Sequence, residues 1–66
     1  MDRILYELAF EIEKYSSSYE ARVFLDFVNV NKYRQGFQVL EHLKNSTELP
    51  AEVLKLIEEY WWNYAN

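Results

Sequence analysis

The sequence predicts an all-α protein, a compact bundle of four short helices over about residues 2–15, 18–30, 32–44 and 50–64. Three observations predict it. Apolar side chains recur every three or four residues through each segment, the period of a helix surface. Helix-starting residues stand ahead of the segments, Ser17 and Pro50 most clearly. The stretches between segments are short, as in a bundle of adjacent helices.

In the first segment Ile4, Leu5, Leu8, Ile12 and Tyr15 form one stripe, with Ala9 at its edge. It ends in Ser16-Ser17-Ser18, whose hydroxyls compete for backbone groups and favour caps over helix interiors. Ser17 with Glu20 three residues on is a capping box, which starts the second helix at Ser18.

Wound as a helix, residues 18–30 place Tyr19, Ala21, Val23, Phe24, Leu25, Phe27 and Val28 around about two-thirds of the circumference. Only Arg22, Asp26 and Asn29 remain as a polar strip. A helix that apolar is expected to be buried on most sides. The segment is therefore predicted as the hub, either the centre of the core or a surface shared with another chain. Residues 23–30 are also rich in β-branched and aromatic side chains, as in a buried strand. Helix is preferred because the adjacent pairs Phe24-Leu25 and Phe27-Val28 break strand alternation.

The third stripe, Tyr33, Gly36, Phe37, Leu40 and Leu43, is offset by roughly 90° from the second at 100° per residue, which predicts a break near residues 29–32. Asn29 or Asn31 would cap the new helix. The alternative is a single bent helix over 18–44, giving three helices in all. Gly36 lies on the apolar stripe, where it would let a neighbour approach closely, and Asn45-Ser46-Thr47 ends the helix. Pro50 is suited to a first helical position because it lacks an N–H that would go unsatisfied there. From it Val53, Leu56, Ile57, Tyr60 and Tyr64 form the inner stripe of helix four, with Leu54 and Trp61 on one shoulder.

Sixty-six residues make one domain, residues 1–66, that buries only about 60% of its unfolded surface. It has no cysteine for a disulfide; its bulk comes from two Trp, six Tyr and four Phe, which fill a small core with few rotatable bonds. The net charge of −4 argues against general attraction to nucleic acid or anionic lipid. No apolar run approaches the 18 or so residues of a membrane span. The start, Met-Asp-Arg-Ile-Leu-Tyr-Glu, lacks the pattern of a signal peptide, so the expected location is the cytoplasm.

Nothing in the chain forms a catalytic set. His42 is the sole histidine, on the polar side of helix three, without a Cys or second His to build a nucleophilic or metal site. Glu11 and Glu13, and Glu58 and Glu59, sit on outer faces with lysines nearby, as solvated charge does. The expectation is a non-enzyme with no cofactor, metal or small-molecule substrate.

Two features point outward. Tyr6 and Phe10 are four residues apart and so in contact, opposite the main stripe of helix one, and Trp62 faces away from Ile57 and Tyr60. Aromatics of this kind dominate binding hot spots, which makes Tyr6, Phe10 and Trp62 the candidate protein interface. The expected function is a small cytoplasmic regulator, adaptor or inhibitor that binds another protein and associates with itself as a homodimer or other homo-oligomer. The second reading is a helix-turn-helix-like transcriptional regulator. In it Lys32, Arg34, Gln35 and Gln38, with His42, would face DNA from helix three, since Arg and Gln suit base edges. It ranks second because the helices on either side bring mostly acids, whereas phosphate binding needs several cations.

Overall fold

The computed structural model describes residues 2–66 and is all-helical over its elements: α1 (Arg3–Tyr15), α2 (Ser18–Asn29), α3 (Tyr33–Ser46) and α4 (Ala51–Tyr60), which runs on into a π-helical turn (Trp61–Ala65). Each start and stop has a local cause. Asp2 caps α1, its Oδ1 accepting from the Ile4 N–H at 3.4 Å. Ser17 Oγ accepts from the Glu20 N–H at 3.1 Å, the forward bond of the expected capping box.

The middle pair is two helices. Lys32 N–H bonds to the Phe27 carbonyl at 2.9 Å and Asn31 N–H to that of Val28 at 3.1 Å, the two bonds of a Schellman motif. Asn31 takes the left-handed conformation the motif needs, with φ of 62°. Neither Asn29 nor Asn31 caps α3, as the sequence suggested. Lys32 holds that position without a side-chain bond, and Asn31 Oδ1 accepts from the Tyr33 hydroxyl instead. α3 runs two residues beyond the expected end because Ser46 Oγ donates back to the His42 carbonyl at 2.7 Å, keeping its polar group satisfied within the helix. Pro50 stands one residue outside α4, where its carbonyl accepts from Val53 and Leu54.

Around the bundle α1 packs on α2 and α4, and α3 packs on α2, on α4 and on the π-helical turn; α2 and α4 lie across the diagonal. This corrects the expectation that α2 is buried on most sides. With backbone neighbours on two flanks only, α2 buries Ala21, Phe24 and Val28; Val23, Leu25 and Phe27 are half-buried and Tyr19 is exposed.

The centre is instead Tyr60 of α4, fully buried and in ring contact with Phe24 (5.5 Å), Phe37 (6.3 Å), Tyr33 (6.5 Å) and Tyr64 (5.6 Å). Its hydroxyl donates to the Tyr33 carbonyl at 2.5 Å and lies against Gly36. The expected close approach at Gly36 is therefore made by a side chain rather than by a helix backbone. Burial first, then the neighbouring phenols Tyr33 and Tyr64, push the Tyr60 hydroxyl well above the usual tyrosine range. It is a structural donor throughout the physiological range.

The chain ends are tied together. Tyr64 donates from its hydroxyl to Asp2 Oδ2, and Arg34 Nε donates to the Ala65 carbonyl at 3.1 Å, satisfying a helix-end acceptor. The Tyr64 bond, first among the causes, lowers the Asp2 carboxyl below its usual 3.8, and the same bond pushes the phenol up from 10 to about 12. A depressed carboxyl stabilises the fold above its unfolded pKa and loses that effect as pH falls through its folded value. A raised phenol stabilises below its unfolded pKa and loses that effect as pH rises through about 12. The melting-temperature difference between wild type and Tyr64→Phe should thus be constant from about pH 4 to pH 10 and close at both extremes. A difference that does not change with pH would show that the bond contributes nothing.

Candidate protein-binding surface

A groove of about 330 Å³ lies between α3 and α4. Phe37 comes from α3 and Leu54 and Ile57 from α4; Trp61, at the start of the π-helical turn, closes one end, its ring 4.9 Å from that of Phe37. Lys44 stands on the α3 wall and Glu58 on the α4 wall, so an apolar floor lies between one positive and one negative rim. The π-helical turn follows from the same packing. It ends with the Asn66 N–H bonded to the Trp61 carbonyl at 2.7 Å, while Trp61 meets Phe37 and Tyr64 stacks on Tyr33 at 5.0 Å.

The three expected interface residues are all on the outside: Tyr6 is 57% exposed, Phe10 65% and Trp62 64%. They do not form one patch by sequence alone, since Tyr6 and Phe10 belong to α1 and Trp62 to the π-helical turn. Trp62 lies beyond the residues that line the groove, exposed on the π-helical turn. The ring pairs among the described residues are formed by Phe24, Tyr33, Phe37, Tyr60, Trp61 and Tyr64, so the expected Tyr6–Phe10 contact is not among them.

Of the polar residues weighed for DNA, one is engaged elsewhere. Gln35, Gln38 and His42 are exposed on α3 and Lys32 precedes it, but Arg34 reaches to the Ala65 carbonyl at the end of the chain. A second cleft, of about 410 Å³ between α1 and α4, is lined by Glu7, Glu11, Glu52, Val53 and Leu56. Its three carboxylates carry much of the excess negative charge.

The groove was not foreseen as a unit. Leu54 and Trp61 were legible as a shoulder of helix four and Phe37 as part of the α3 stripe, but no periodicity within one helix says which shoulder of another it will face. Compared with known protein families, curated proteins and solved structures, the chain matches none.

Proposed function

We propose that the protein is a non-enzymatic protein-binding module, a cytoplasmic regulator, adaptor or inhibitor that captures a partner protein and associates with itself. The observation that carries this is the α3–α4 groove, with its aromatic and aliphatic floor and opposed Lys44 and Glu58 rims. Such a shape accepts the apolar face of an amphipathic helix, with i and i+4 anchors seated on the floor and flanking charges paired at the rims. Phe37, Trp61 and Trp62 supply the residue types that dominate binding energy. The DNA reading is the weaker one, because Arg34 is drawn to the chain end and the α1–α4 cleft presents carboxylates.

Since Trp62, Tyr6 and Phe10 are outside the core, their replacement by Ala should leave the helical circular dichroism intact, whereas a core aromatic would cost several kcal/mol. The expected result is that Trp62→Ala, or Tyr6→Ala with Phe10→Ala, lowers the amount of partner retained in affinity capture from the native host. Unchanged capture by both variants would remove these residues from the site. Binding to a defined DNA duplex that falls steeply with salt, with a slope flattened by Arg34→Ala, would put the helix-turn-helix reading first.

A further inference from the structure

A ridge of apolar side chains along α2 lies outside the hydrophobic core of the described residues. Tyr19 and Val30 are 74% and 61% exposed, and Val23 and Phe27 between them are half-buried without packing against the core. At 100° per residue the four fall within a sector of roughly 80°, and the ridge follows α2 for its full length of about 18 Å. Along one flank stand Arg22 and Asp26, both exposed, one turn apart and opposite in charge.

We infer that this ridge is where two copies of the chain meet, α2 against α2, antiparallel about a two-fold axis between Phe24 and Leu25. That register sets Tyr19 opposite Val30 of the second copy. It also brings Val23 within one residue of Phe27, and Arg22 within one residue of Asp26, across the axis. In an antiparallel pair each flank of a helix meets the same flank of its partner, so symmetry makes two Arg22–Asp26 pairs, one at each end. A parallel pair would set this flank against the opposite flank of the second copy and would form neither Arg22–Asp26 pair. The contact is isologous, so it closes at two copies and does not propagate. The inference rests on the proposed function in taking self-association as part of it, and it uses a face separate from the groove.

Sedimentation equilibrium, followed up to the solubility limit, tests it. Wild type should show a monomer–dimer equilibrium. Arg22→Asp and Asp26→Arg each put like charges across the axis and should each weaken the dimer about tenfold or more, with unchanged circular dichroism. Mixing the two single variants restores both opposite-charge pairs and should yield a heterodimer, and the double variant R22D/D26R should dimerise as wild type does. A wild type that stays monomeric, or single variants that dimerise undiminished, overturns the inference. If Trp62→Ala abolishes association while the charge changes do not, the α2 contact fails and the protein-binding function stands. If the charge changes abolish association while Trp62→Ala and the Tyr6/Phe10 variant leave partner capture intact, the α2 contact stands and Tyr6, Phe10 and Trp62 drop out of the partner site.

Discussion

Phe24→Ala is expected to cost about 3–5 kcal/mol, the range for a fully enclosed aromatic truncated to Ala. Phe24 has no exposed surface, touches the Tyr60 ring and lies against Gly36, so the cavity left behind is closed by α2, α3 and α4 at once. For a domain near the lower end of the usual 5–15 kcal/mol this is most of the stability, and the variant should be largely unfolded at 37 °C. Phe27→Ala, three residues along the same helix, should cost only about 1 kcal/mol when measured at low concentration, because Phe27 is half-buried outside the core cluster. Chemical denaturation of both variants distinguishes the two positions. Equal losses would mean that α2 is buried on both sides after all.

The second large effect centres on Tyr60. Tyr60→Ala should also lose about 3–5 kcal/mol, and the mechanism can be isolated by a gentler pair of changes. Glycine inside a helix ordinarily gains about 1 kcal/mol on replacement by Ala. At Gly36 the new Cβ would stand 2.5 Å from the Tyr60 hydroxyl oxygen, 3.4 Å from Val28 Cγ1 and 3.6 Å from Phe24 Cδ1. The phenol cannot swing aside without leaving the Tyr33 carbonyl and the four rings around it. Gly36→Ala is therefore expected to destabilise by about 1–3 kcal/mol, the cost of overpacking. In a Tyr60→Phe background, which itself loses about 1 kcal/mol with the hydrogen bond, the same change should be neutral or favourable. The double-mutant cycle should show coupling of about 1 kcal/mol or more. A higher melting temperature for Gly36→Ala alone would disprove the close contact.

Much of the secondary structure was legible because its causes are local. The α1 stripe, Ser17 ahead of α2, and Pro50 ahead of α4 each act within one turn of the residues that carry them, so neighbours in sequence suffice. The turn after α2 was legible as a break but not as a mechanism. Asn31 was weighed as a cap for the next helix, whereas it closes the preceding one in the left-handed conformation that asparagine tolerates. The two added residues of α3 follow from a serine bonding back within its own helix, whereas the π-helical turn after α4 depends on partners elsewhere, the rings on α3 against which Trp61 and Tyr64 settle.

By itself the sequence determined the all-α class, the four segments, their inner stripes and the outward position of Tyr6, Phe10 and Trp62, since helical period and capping chemistry depend on residues a few positions apart. Only the tertiary structure decided which apolar faces found partners. α2 is as apolar as a core helix, yet side-chain composition is the same whether a face meets a neighbour or is left open. Its place on the diagonal from α4, with packing on two flanks, leaves Tyr19 and Val30 exposed and Val23 and Phe27 half-buried outside the core, and makes Tyr60 the centre. The groove has the same origin: Phe37 and Lys44 are brought together with Leu54, Glu58 and Trp61 only by the packing of α3 beside α4.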